Sequence, residues 1–154
     1  MKRKLHLPII TLLLLNSCNN VYDSEAFTNP INCVTIDFTE GLAYLNNEVY
    51  TGACIVYTED NKKNMLLSFV KGVPNGKHEG YYYPEETVEY IGNRKKGEIH
   101  GDYIRYHLNG KINISGKLKK GYRIGVWKFF NIEGKLLEEK NYINGKVKDS
   151  ILYL

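Results

Sequence analysis

The chain has 154 residues, 43% hydrophobic and 25% charged, which is ordinary single-domain globular sequence and excludes a chain disordered throughout. Its formal net charge is +4, but Lys2, Arg3 and Lys4 supply three of the 21 basic residues, so residues 18–154 hold 18 basic against 17 acidic groups. That near-neutral balance removes the bulk electrostatic case for a nucleic-acid partner.

After the basic residues 2–4, Leu5 to Leu15 form an apolar run of eleven with two interruptions. A membrane-crossing helix needs about 20 such residues, so the run has the length of a signal-peptide core. Leu15-Asn16-Ser17-Cys18 resembles a bacterial lipobox, in which a small residue precedes the cysteine that is acylated on sulfur. The expected organisation is a signal peptide over 1–17, then a lipidated Cys18 with a flexible polar tether over 18–33. The competing reading is ordinary secretory cleavage beside an incidental cysteine. Two or three acyl chains, at about 0.8 kcal/mol per buried methylene, would hold the protein at a membrane without help from the domain. No Asp follows the first mature residues, which leaves the outer membrane or cell surface as a destination.

With Cys18 acylated, Cys33 and Cys54 remain as an even pair in an oxidising compartment. A bridge would close a loop of about 21 residues and stabilise by ~3 kcal/mol in the chain-entropy model. Two unrelated buried thiols are the alternative, because Cys54 sits where later units carry an aromatic residue.

From residue 34 to 154 the chain reads as one β-hairpin domain. Gly97, Gly121 and Gly145 are 24 apart, as are Gly101 and Gly125, and Gly110 and Gly134. Each unit is a strand, a turn and a second strand. Asn109-Gly110 between alternating apolar runs predicts a two-residue type I′ turn, with Glu133-Gly134 in the same place. Ile112, Ile114 and Leu118 mark one apolar strand face, and Val88, Tyr90 and Gly92 precede Ile112, Ile114 and Gly116 by 24. The front half of that earlier unit has two phases, since Gly72, Gly76 and Gly80 compete and Pro84 alters the turn. A degenerate unit runs from Tyr50 to Lys71, giving about four units, the first two irregular. The fold class is all-β.

Gly97, His100, Gly101, Tyr103 and Gly110, with Gly121, Gly125, Trp127 and Gly134, resemble the MORN family (membrane occupation and recognition nexus) in its bacterial variant form. The resemblance covers roughly residues 44–148. It implies an elongated, twisted antiparallel sheet of tandem hairpins and a binding or scaffolding role; some bacterial proteins of this kind act as antitoxin or immunity proteins.

Chemistry-bearing groups are sparse. Outside the signal there are His78, His100 and His107, and a metal site from His100, His107 and Asp102 would need side chains that leave strand and turn in different directions. Glu85-Glu86 and Glu138-Glu139 are adjacent, so each pair faces opposite sides of a strand and cannot converge on one bond. Gly97 to Gly101 has glycine spacing without the Lys-Ser/Thr of a phosphate loop. No catalytic residue, metal or cofactor is expected. Two binding features stand out. Lys71, Lys95, Lys96, Lys119, Lys120 and the Lys146/Lys148 region flank corresponding turns and would align into a basic ridge for anionic lipid or an acidic protein, or serve only as solvated edges. The aromatic set Tyr57, Tyr81 to Tyr83, Tyr103, Tyr106, Trp127, Phe129, Phe130 and Tyr142 would form a thin core or a recognition surface. The expected function is a membrane-tethered, non-enzymatic protein-binding module of the antitoxin or immunity kind. The alternative is a cell-envelope scaffold binding lipid or glycan surfaces. The C-terminal Ile151 to Leu154 reads as an unprotected edge that leaves self-association open.

Overall fold

A computed structural model describes residues 25–153. Two kinds of turn organise it. Lys71-Gly72, Lys96-Gly97, Lys120-Gly121 and Asn144-Gly145 have φ of 51° and 74°, 52° and 84°, 52° and 79°, and 48° and 81°. Positive φ at both central residues is type I′ geometry, whose twist matches that of the flanking strands. The expectation that Asn109-Gly110 makes this turn is corrected: Gly110 has φ 79° but Asn109 is not in the left-handed region. There the Gly110 amide donates to the His107 carbonyl (2.9 Å) and the His107 amide to the Lys111 carbonyl (2.8 Å), a longer loop with a single left-handed residue at its end. Gly134 and Asn61 (φ 86° and 61°) close equivalent loops, with 2.9 Å bonds to Asn131 and Thr58. In the loop over 82–87, Glu86 (φ 56°) bonds back four residues to Tyr82 instead of three, and the Tyr83–Pro84 peptide is cis. That extra residue separates Gly72 from Gly97 by 25 positions and resolves the phase of the second unit. Gly72 is the turn glycine, and Gly76 (φ 103°) corresponds to Gly101 (φ 89°).

Between these turns run β5 (Gly52–Tyr57), β6 (Lys63–Val70), β7 (Val73–Pro74), β8 (Gly76–Tyr81), β9 (Val88–Lys95), β10 (Glu98–Ile99), β11 (Gly101–Tyr106), β12 (Ile112–Lys119), β13 (Tyr122–Phe130), β14 (Leu136–Ile143) and β15 (Lys146–Leu152). They pair antiparallel in chain order, with β7 and β10 as short pieces against β6 and β9. With β1 (Ile31–Asn32), which joins β5 in parallel, they make a 12-stranded sheet. The fold is all-β apart from short helical turns.

Hydrogen bonds link successive hairpins at both ends. On the short-turn side the amides of Gly72, Gly97, Gly121 and Gly145 donate to the carbonyls of Tyr50, Pro74, Ile99 and Arg123 at 2.7, 2.7, 2.9 and 2.9 Å. On the long-loop side the Tyr82 hydroxyl donates to the Tyr106 carbonyl (2.7 Å), Asn109 Nδ2 to Ile132 (2.8 Å) and Lys111 Nζ to Glu133 (2.8 Å). Turn groups that would otherwise face water are therefore satisfied by the neighbouring hairpin, which holds the turns in two rows.

The core has two parts. A small sheet of β2 (Asp37–Thr39), β3 (Leu42–Leu45) and β4 (Glu48–Val49) contributes Ala43, and the residues flanking it Ile36 and Tyr50, to a cluster with Cys54 and Phe69 of the large sheet. The Ala43 amide bonds the Gly72 carbonyl at 2.9 Å, tying this layer to the first short turn. The Cys33–Cys54 disulfide is present, with Cα atoms 5.0 Å apart, because β1 brings Ile31 opposite Cys54. The expected tether over 18–33 is thus corrected for its second half: residues 25–33 belong to the folded body, where Ile31 and Cys33 pack on the core. Cys18, the signal and residues 19–24 lie outside the described residues.

The second part is a column of rings crossing the strands. His78, Tyr90, Tyr103, Trp127 and Tyr142 follow one another with centroid separations of 5.4, 6.0, 5.9 and 6.2 Å. Glycines lie under three of them: a β-carbon on Gly80, Gly92 or Gly116 would sit 2.1, 2.6 or 2.3 Å from Tyr90, His78 or Trp127. A single sheet can thereby bury large rings against its own backbone.

Candidate interaction surface

The strand alternation assigns the predicted aromatic residues to two faces. Tyr103 and Trp127 belong to the ring column. Trp127 is 1% exposed, its Nε1–H donates to the Lys117 carbonyl at 3.1 Å, and the Arg123 guanidinium lies 4.3 Å from its ring centre. Arg123 also donates to the Tyr142 hydroxyl at 3.0 Å. The expectation that Trp127 is available for binding is corrected: Gly116 on one side and Arg123 on the other enclose it. Tyr103 is half-buried, and burial pushes its phenol above the usual range. Arg123 had no signal in the sequence reading beyond being a basic residue in a repeat.

Tyr106 and Phe130, each three residues further along the same strands, face the opposite side, where they sit across from Ile112 and Leu136. Ile104 opposes Ile91 on this face, and Val126 and Ile112 are 51% and 38% exposed. Tyr106 also lines an open trough of about 400 Å³ with Thr87, Val88, Ile91 and Leu108. Ion pairs stand among these residues: Lys128–Glu139 at 3.3 Å and Lys117–Asp102 at 3.6 Å, both between directly opposed strand positions. The result is a surface of partly exposed branched and aromatic side chains interrupted by charge pairs. Such a mixture suits a protein surface better than a small apolar ligand.

The predicted lysines are all exposed at the short-turn side. Lys95 and Lys119 end β9 and β12, opposite Glu98 and Tyr122, while Lys96 and Lys120 occupy the left-handed first position of their turns. Lys71 holds the same turn position, and Asn144 takes it in the last turn. The hydrogen bonds from Gly97, Gly121 and Gly145 place these turns in succession, so the lysines form a row. The turn glycines divide by role: Gly97, Gly121 and Gly145 complete the short turns, Gly101 and Gly125 (φ 89° and 64°) bend the strands after them, and Gly110 and Gly134 close the long loops.

The histidines do not converge. The His100 amide bonds the Asn93 carbonyl at 2.8 Å, and His107 Nε2 lies 3.1 Å from the Phe130 carbonyl in the long-loop row. Among the described residues no three His, Cys, Asp or Glu side chains group closely enough to share a metal ion, and no helix is long and apolar enough to cross a membrane. Compared with known proteins, the chain matches no family model and no curated sequence.

Proposed function

We propose that the chain is a membrane-tethered, non-enzymatic protein-binding module of tandem hairpins, similar to the bacterial variant MORN type, that acts as an immunity protein by sequestering a toxin or effector in the cell envelope. In this reading the sheet is elongated and twisted, with a unit of about 24 residues taken from the glycine ladders. Cys18 carries the lipid that holds it at the membrane. The observation that carries the proposal is the division of labour between the two sheet faces. One face is occupied by the ring column, while the other presents Ile104, Tyr106, Val126 and Phe130 with paired charges between them.

Affinity capture of the tagged full chain from its own cells, with mass spectrometry of what is retained, tests the reading. One stoichiometric protein, lost when Tyr106 and Phe130 are both replaced by Ala, supports it; retention of lipids alone, or of nothing, overturns it. Metabolic labelling with a tagged fatty acid, abolished in Cys18→Ser, tests the anchor separately. The lysine row favours a second reading, an envelope scaffold whose short-turn side meets anionic lipid or glycan surfaces.

A further inference from the structure

We propose that the long-loop side of the sheet binds a basic, amphipathic α-helix of a protein partner, laid across three successive loops. The inference deepens the protein-binding reading and rests on it. The amides of Thr58, Tyr82, His107 and Asn131 donate to the carbonyls of Lys62, Thr87, Lys111 and Lys135, so the four long loops correspond residue by residue at their start. The residues that follow these donors are Glu59, Tyr83, Leu108 and Ile132. Polar residues dominate such turns, yet Tyr83, Leu108 and Ile132 are 63%, 52% and 54% exposed. A single exposed apolar residue needs no explanation, but three at one structural position on consecutive hairpins make a stripe. Leu108 also lines the open trough of about 400 Å³ with Val88, Ile91 and Tyr106, which joins the stripe to the face that carries Tyr106.

Spacing, hydrogen bonding and charge identify the occupant. Successive long loops are two strands apart in the sheet, which is about 10 Å at ~4.8 Å per strand. Seven residues of α-helix rise about 10.5 Å, so apolar side chains at i, i+7 and i+14 meet the stripe in turn. An extended strand repeats on one face every ~6.7 Å and matches no such step. A polyproline helix repeats at about 9.3 Å but brings unpaired backbone carbonyls. Donors beside the stripe are already engaged: the Tyr82 hydroxyl on Tyr106, the Tyr83 hydroxyl on Asp60, Asn109 Nδ2 on Ile132 and Lys111 Nζ on Glu133. An α-helix satisfies its own backbone and asks nothing of them. The four loops hold five carboxylates against three lysines. Glu85 and Glu133 are exposed and make no ion pair among the described residues. The excess of negative charge calls for basic residues flanking the helix's apolar stripe, and it disfavours an anionic bilayer on this side.

Photo-cross-linking in the protein's own cells tests the proposal, with benzoylphenylalanine placed in the full chain at Leu108, at Ile132 and, as a control, at Tyr122, which is 61% exposed on the short-turn side. Leu108 and Ile132 are expected to attach to one protein, at residues about seven apart in a segment with basic flanks, and Tyr122 is expected not to reach it. Leu108→Ser with Ile132→Ser should weaken capture of that protein at least about tenfold. Glu85→Lys with Glu133→Lys should also weaken it, by a margin that narrows as salt is raised. These side chains are exposed, and circular dichroism of each variant checks that the sheet is intact. Attachment to lipid or to nothing, attachment at residues about three apart, or capture indifferent to both pairs of substitutions overturns the proposal. If capture is lost only when Tyr106 and Phe130 are replaced, the protein-binding reading stands and the helix on the loops does not; if no protein is captured at all, both fall.

Discussion

Trp127 lies face-down on Gly116: a β-carbon built on Gly116 would fall 2.3 Å from indole Cδ2, far inside any real contact. Tyr103 is the residue registered opposite Gly116 on the other neighbouring strand, so one glycine serves two rings of the column. The glycine is there for space, since its φ is not among the positive ones. Gly116→Ala should therefore destabilise by overpacking, about 1–3 kcal/mol. Trp127→Ala should cost about 3–5 kcal/mol by leaving a cavity. The two losses should not add: once the indole is gone, the methyl of Gly116→Ala has room, and its cost should fall close to zero. Urea midpoints of the two single variants and the double variant measure this coupling.

The same relationship explains what was legible in the sequence. The glycine ladders of residues 97–145 follow from local geometry, and the strands fall where they put them. The expectation that Ile112 shares a face with Ile114 and Leu118 is corrected: Asn113 is an extra residue in the β11–β12 register, so Ile114 opposes Arg105 and Ile112 its neighbour Tyr106. Gly92 and Gly116 were visible as members of the pattern, but their role as ring seats depends on the strand beside them. Turns beside Lys96 and Lys120 are legible in the glycine ladder, but the type I′ geometry is expected at Asn109-Gly110 instead, because intrinsic preference favours Asn-Gly over Lys-Gly. In the fold, Lys96 and Lys120 accept positive φ, and Gly97 and Gly121 then bond the preceding hairpin. That compensation is a contact over more than 20 residues, which no local rule contains. The layer over residues 31–50 was missed for a similar reason: it lacks a period, and bonds such as Ala43 to Gly72 span 29 positions.

The Cys33–Cys54 bridge spans 21 residues and connects the N-terminal layer to the first strand of the large sheet. Reduction, or Cys33→Ser with Cys54→Ser, should lower stability by about 3 kcal/mol and the melting temperature by roughly 10 °C. Calorimetry with and without reductant checks this. Loss should be greater for Cys54→Ser than for Cys33→Ser in the reduced protein, because Cys54 is wholly buried in the apolar cluster while Cys33 sits at its margin.

His78 gives a pH dependence of known sign. Its ring is 4% exposed, lies on Gly92 and meets the edge of Tyr90, and Nδ1 has no hydrogen-bond partner among the described residues. Burial first, and the charge of Arg94 second, hold the imidazole below its ordinary value of 6.5. The unfolded chain takes up a proton near that value while the folded chain resists it, so unfolding gains the protonation energy as pH falls. Stability is thus full above about pH 6.5 and declines below it until the folded state titrates, at a slope of at most about 1.4 kcal/mol per pH unit. His78→Tyr keeps a ring in the column, as Tyr103 does in the next unit, and should remove the His78 part of that slope. Urea midpoints of both proteins between pH 7.5 and 5.5 decide it; equal slopes would show that His78 does not carry the effect.

The lysine row separates the two functional readings. Lys96 and Lys120 sit at positive φ, where Asn is better tolerated than Gln, and Asn144 already fills that position in the last turn. The variant Lys95→Gln, Lys96→Asn, Lys119→Gln, Lys120→Asn should therefore keep or slightly raise the melting temperature while removing four positive charges. Basic residues near an anionic bilayer contribute about 1 kcal/mol each, falling with salt. If the short-turn side meets lipid, the variant should lose at least about tenfold in affinity for phosphatidylserine vesicles, and raised salt should erase the difference. If the opposite-face residues Tyr106 and Phe130 carry recognition instead, the same variant should capture its protein partner as well as the unaltered chain does. Floating both proteins with vesicles, beside parallel capture from cells, assigns the row to lipid contact or to solvated edge protection.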